Sequence, residues 1–208
     1  MNAIDWRAVH GGLLILFLPI PMLIPALAGW PWHILIPLLG YALVVCIVGP
    51  MRRSVKWLHF GRLDWRVLGV TAAIVLVSSA ALVLYYLLFR PDLSHLSEHF
   101  PAATGLSLFL VGALFSVVNA LMEELAFRGI VMDALEAQLQ PMTALSAQAL
   151  AFGAAHYHGI PAGPIGVVLA SIYGLMLGML RRWSKGLAAP VIAHICADAT
   201  IFAIVIQS

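Results

Sequence analysis

Long apolar runs alternate with short polar connections along nearly the whole chain. Stretches of 16 or more largely apolar residues fall at 10–29, 32–50, 66–89, 104–127, 143–158, 164–181 and 186–206. A hydrocarbon core of roughly 30 Å needs about 20 apolar residues per helix. The pattern therefore predicts an all-α fold, a polytopic transmembrane helix bundle of about seven spans. Three prolines interrupt the first run (Pro19, Pro21 and Pro25), which predicts a kink there or a hairpin with the second. The stretch 128–140 holds Asp133, Glu136, Gln138 and Gln140. It is too polar to span and is expected as a helix at or near the cytoplasmic interface.

Composition agrees with the pattern. The 208 residues are 62% hydrophobic and 10% charged, against about 25% charged in soluble domains. The net charge of +2 argues against nucleic acid as a partner. Cys46 and Cys196 lie in different apolar segments, without the spacing of a metal site or a disulfide framework. The N-terminus lacks a basic region followed by a cleavable site, so the first run is expected as a retained span.

Basic residues set the expected orientation. Eight of the eleven Lys and Arg residues lie in two connections: Arg52, Arg53, Lys56, Arg62 and Arg66, then Arg181, Arg182 and Lys185. Both connections should face the cytoplasm. The 90–103 loop (Arg90, Asp92, His95, Glu98, His99) should face the other side. Seven spans place the N-terminus inside, in a multi-pass protein of the bacterial inner membrane.

Charge at membrane depth is costly unless it is paired or lines a wet cavity. Glu123, Glu124 and Arg128 fall within six residues. Residues four apart share a helix face, so Glu124 and Arg128 should pair. Glu123 points about 100° away and stays free for chemistry. Asn119 shares the face of Glu123 and is placed to hydrogen-bond to it or to a water. Two more four-residue spacings follow, Phe152 with His156 and His194 with Asp198. Alone, each histidine reads as well as a packing group or a buried hydrogen-bonded pair. Together the three helices carry most of the ionisable groups at depth, and burial should make them converge. Cys196 lies about 200° from His194 and is not its nucleophile partner. Ala170, Gly174 and Gly178 form a small-residue stripe for close helix packing. Tyr173, on that segment, is within possible reach of a cavity. By rise per residue, Glu123 and His194 fall roughly 10 Å from the cytoplasmic face and His156 roughly 20 Å, unless the 143–158 helix tilts or begins deeper.

These three spacings resemble the motifs of the CAAX-protease and bacteriocin-processing (ABI) family of intramembrane proteases. The E-E-x-x-x-R motif matches Glu123, Glu124 and Arg128. F-x-x-x-H matches Phe152 and His156, and H-x-x-x-N/D matches His194 and Asp198. The resemblance covers about residues 104–206. It divides the chain into N-terminal helices without a motif (1–103) and a catalytic helical core (104–208). It implies peptide-bond hydrolysis within the membrane, at an intramembrane catalytic cavity open toward the cytoplasm. The residue at Glu123 activates water, His156 assists, and His194 with Asp198 stabilises the oxyanion. Glu124, Arg128, Asn119 and Phe152 support them. Asp198 stands where relatives carry Asn or Asp, and a carboxylate donates no hydrogen bond unless protonated. Asp198 is therefore an alternative orienter of His194. The implied partners are a membrane-anchored protein or peptide substrate and the lipid bilayer.

No cofactor is implied by the glutamate mechanism. Two other readings of the same residues stay open. One is a zinc protease using Glu123, His156, His194 and Asp198, although H-E-x-x-H is absent. The other is a non-enzymatic transporter or immunity protein. Transporters commonly carry internal repeats, and this chain has none.

Overall fold

Aspartates start two of the helices. Asp5 accepts the Arg7 amide at the head of α1 (Trp6–Phe17). Asp64 accepts the amides of Arg66 and Val67 at the head of α4 (Trp65–Phe89). Each cap satisfies backbone donors that a helix start leaves open. Between them lie α2 (Trp32–Ile47) and the short α3 (Gly49–Ser54). The second half of the chain holds α5 (Leu106–Glu123), a π-helical segment (Glu124–Val131), α6 (Met132–Gln138), α7 (Pro141–Ala155), α8 (Gly163–Ser184) and α9 (Ala188–Val205). This computed structural model describes residues 4–93 and 104–207. The sequence expectations for His95, Glu98 and His99 lie outside the described residues.

The bundle is all-helical, and the protein is an integral membrane protein. Among the described residues, five helical stretches are long and apolar enough to span: Trp6–Leu23, Trp65–Phe89, Leu106–Gln138, Gly163–Ser184 and Ala188–Val205. The expected count of seven is thus not reproduced. Trp32–Ile47 is a shorter apolar helix. Pro141–Ala155 has 15 residues, about 22 Å of rise, short of the hydrocarbon thickness. Outward faces are apolar, with Leu76, Leu87, Phe109 and Leu150 all exposed, as lipid contact requires.

The proline-rich run 10–29 is not one continuous α-helix. α1 stops at Phe17, two 3-10 turns follow at Pro21–Leu23 and Pro25–Leu27, and α2 returns alongside α1. The hairpin is pinned by buried His10, whose Nδ1 meets Tyr41 Oη at 2.7 Å and whose Nε2 meets Ser54 Oγ at 2.9 Å. As far as Gln138, the polar stretch belongs to the same continuous helix as α5, through the π segment into α6. Its buried face packs on α1: Arg7 forms a two-pronged pair with the Asp133 carboxylate at 3.1 and 2.9 Å. A Cβ on Gly11 would fall 2.8 Å from Ala134 Cβ, so glycine permits the approach.

The two basic connections touch each other. The Arg62 amide donates to Ser184 O at 2.7 Å, and the Leu187 and Ala188 amides donate to His59 O and Phe60 O. Gly61 and Gly186 meet backbone to backbone, where a side chain on either would collide. Both loops therefore lie at one end of the bundle. Glu136 pairs with Arg181 and Arg182 at that same end.

α7 and α8 make the most extensive helix contact. The small-residue stripe allows it, with Gly174 against Phe152 and Ala149 and Gly178 against Leu145 and Gln148. α9 lies against α4 and α5. The motif-bearing faces of α5, α7 and α9 meet around the π segment.

Candidate active site

The π segment begins at Glu124, one residue after Glu123. Such wide turns inside helices are frequent at functional sites. Glu124 and Arg128 are both fully buried and pair at 2.8 Å, Oε1 to Nη1. Arg128 Nη2 reaches the Gly174 carbonyl at 3.4 Å, which Gln148 Nε2 also meets at 2.9 Å. The guanidinium stacks 4.1 Å above the Phe152 ring centre. A buried arginine needs this set of partners to offset its desolvation.

The same Glu124 oxygen accepts a hydrogen bond from His194 Nδ1 at 2.7 Å. Glu124 is thus the hydrogen-bonded partner of the ring, a contact the sequence spacing did not indicate. The nearest Asp198 oxygen is 3.7 Å from His194 Nε2, on the other side of the ring. The chain Arg128–Glu124–His194 fixes the imidazole, with Nε2 turned toward Glu123 and Asp198.

Glu123 stays out of the arginine pair. Its Oε1 accepts from Asn119 Nδ2 at 3.2 Å, the contact expected from their spacing. The same nitrogen lies 3.2 Å from Asp198 Oδ2, tying α5 to α9. The Oε2 of Glu123 is buried and has no hydrogen-bond partner among the described residues. It lies 3.5 Å from His156 Nε2 and 3.6 Å from His194 Nε2.

His156 is the C-cap of α7, not an interior residue. Its Nδ1 donates to Phe152 O at 2.7 Å. The imidazole is thereby turned to present Nε2 to Glu123. The separation in depth expected from counting residues is absent, since His156 Nε2 lies 3.5 Å from Glu123 Oε2. Phe152 sits among the polar groups: its ring centre is 4.3 Å from that of His156 and 5.9 Å from that of His194.

A cavity of about 120 Å³ opens beside this cluster, with α4, α7, α8 and α9 around it. His156, His194, Asp198 and Tyr173 line its polar side, and Val77, Leu82 and Met176 are among its apolar lining. Among the described residues, no group of three or more His, Cys, Asp or Glu side chains is arranged to hold a metal ion.

Sequence reasoning passed over Trp30. Its indole Nε1 donates to Asn119 Oδ1 at 3.0 Å, and its ring packs on Phe115. It also passed over Gln148, fully buried behind Arg128. Gln148 stands four residues before Phe152 and so shares its helix face, a signal that could have found it; no such spacing links Trp30 to the cluster.

The fold and this cluster define a multi-pass helical membrane protein with paired carboxylates and imidazoles buried among its helices. Residues 105–200 match the family model described as type II CAAX prenyl endopeptidase, Rce1-like. The match spans α5 to α9 nearly completely and agrees with the resemblance read from the motifs. Searches of curated proteins and of solved structures found no match.

Proposed function

We propose that this protein is an intramembrane endopeptidase that hydrolyses a peptide bond with a water activated by Glu123. The observation that carries the reading is the Glu123 Oε2 atom, buried, without a hydrogen-bond partner among the described residues, and within 3.6 Å of two imidazole nitrogens. The match to an endopeptidase family over 105–200 supports it.

Glu123 takes one proton of a water, and the water oxygen adds to the substrate carbonyl carbon. A tetrahedral oxyanion forms. Glu123 and His156 then deliver the proton to the departing amine as the carbon–nitrogen bond breaks, leaving a carboxylate and an amine. Positioned acid–base groups of this kind contribute on the order of 10²–10⁴-fold. Glu124 is held by Arg128 and His194 and acts as an orienting group. The substrate is a membrane-anchored protein or peptide, such as a prenylated CAAX tail or a bacteriocin leader. The basic end of the bundle faces the cytoplasm of a bacterial inner membrane, and the N-terminus lies there too, since Arg7 and Asp5 bind Asp133 and Gln138.

The test compares membrane-associated peptides from cells expressing wild type, Glu123→Gln and His156→Ala, with and without a zinc chelator. A product made only by wild type and insensitive to chelator is expected. A chelator-sensitive product would move the reading to a zinc enzyme. Identical peptide profiles from all three, at equal protein abundance, would favour a non-enzymatic role.

A further inference from the structure

Hydrogen-bond donors are scarce at this site. The Glu123 and Asp198 carboxylates accept. His156 spends its Nδ1 proton on Phe152 O, and His194 spends its own on Glu124. In each neutral ring the Nε2 facing the site is then an acceptor. Were His194 charged, its Nε2 proton would stand between Glu123 and Asp198, at 3.6 and 3.7 Å. Asn119 directs its amide nitrogen at the same two carboxylates. An oxyanion needs donors, and with both rings neutral these groups offer none that is uncommitted; only a charged His194 would add one, its Nε2 proton lying beyond hydrogen-bond distance of both carboxylates.

Tyr173 supplies one. It projects from α8 into the lining of the cavity beside His156, His194 and Asp198. Its ring meets that of His194 edge-on, with centroids 5.8 Å apart and planes at 90°. Its hydroxyl is buried and has no hydrogen-bond partner among the described residues. Buried tyrosine hydroxyls are normally paired, and an unpaired one costs stability. Packing alone would be served as well by phenylalanine.

We propose that Tyr173 is a catalytic residue whose hydroxyl donates a hydrogen bond to the oxyanion formed when water adds to the substrate carbonyl. The proton stays on the phenol throughout. The carbonyl π pair becomes the oxyanion lone pair, and returns to the carbonyl as the carbon–nitrogen bond breaks. This role rests on the peptidase reading above. It also meets the difficulty raised by Asp198, which as a carboxylate accepts and does not donate.

The experiment uses the full chain in lipid nanodiscs, with an internally quenched, prenylated CAAX peptide as the cleavage probe. Wild type, Tyr173→Phe and Glu123→Gln are compared. A single oxyanion donor is worth on the order of 10²–10³-fold in kcat, so Tyr173→Phe should lose about that factor with KM nearly unchanged. A phosphinate analogue of the peptide, which mimics the tetrahedral state, should bind Tyr173→Phe more weakly by a similar factor. The melting temperature should hold or rise, because an unpaired buried hydroxyl is removed. Wild-type kcat, unchanged analogue affinity or a lowered melting temperature in Tyr173→Phe would each overturn the proposal and leave the peptidase reading standing. Absence of Glu123-dependent cleavage by wild type would remove both together.

Discussion

Glu124 Oε1 is shared by two donors, Arg128 Nη1 at 2.8 Å and His194 Nδ1 at 2.7 Å. One carboxylate oxygen therefore holds a charge in place on its own helix and an imidazole on another. Its neighbour Glu123 does not meet Arg128 and faces the opposite ring nitrogen of His194, at 3.6 Å. Adjacent residues of one type thus carry two different tasks, and the difference comes from what each side chain meets.

Substitution should separate those tasks. Removing one member of a buried ion pair costs about 3–5 kcal/mol, so Glu124→Ala should lower the melting temperature sharply and abolish activity with it. Glu123→Gln keeps the Asn119 contact through its amide oxygen. It should melt near wild type while losing activity by on the order of 10²-fold or more. Thermal unfolding in detergent alongside peptide cleavage distinguishes the two patterns. Equal destabilisation by both would refute the division of roles.

Trp30→Phe should reduce activity without unfolding the protein. The indole N–H can only donate, so it fixes the Oδ1 end of Asn119 toward itself and the Nδ2 end toward Glu123 and Asp198. Phenylalanine keeps the packing on Phe115 and frees the amide to turn over. A neutral hydrogen bond is worth about 1 kcal/mol, which corresponds to a several-fold fall in cleavage rate. No fall in rate would mean that the amide holds its orientation without Trp30.

Gly153→Ala inverts the usual helix preference. Alanine in place of a helix-interior glycine normally gains about 1 kcal/mol. Here the new Cβ would lie 2.5 Å from the Val167 carbonyl oxygen, against the backbone of α8. Overpacking typically costs about 1–3 kcal/mol, so destabilisation should win, with Phe152 displaced and activity lost. Gly12, which has open space around it, is the control, and Gly12→Ala should be neutral or stabilising. Melting temperatures of the two variants decide the point.

Asp198→Asn should remain active. The amide can still accept from Asn119 through Oδ1 and offers an N–H toward the cavity. Asp198→Ala should lose both and fall further, by about tenfold or more relative to Asn, if each contact is worth about 1 kcal/mol. Equal rates for the two variants would show that the Asn119–Asp198 link is dispensable.

Contacts within one helix were legible from the sequence. The Glu124–Arg128 pair, the Asn119–Glu123 bond and the small face of α8 all follow from residues four apart, because helical geometry repeats at nearly that interval. Partners across helices were not. The choice of Glu124 over Asp198 as the anchor of His194 depends on how α5 and α9 are rotated against each other, and single-chain periodicity carries no such angle. The π segment was equally hidden, since nothing in Glu-Leu-Ala-Phe-Arg-Gly-Ile-Val distinguishes a wide turn from an ordinary one. Hydropathy reads how apolar a run is, and cannot see that α1 gives way to 3-10 turns at the prolines or that α7 stops at Ala155.

The π segment and its neighbours are gripped from the motif-free side of the chain. Trp57 lies against Gly129, Arg7 holds Asp133, and Trp30 holds Asn119. Residues 104–208 are therefore no portable cassette. Grafting them onto the first helices of a distant relative would preserve every motif and still mistune the active centre, so these two halves should be inherited and exchanged together.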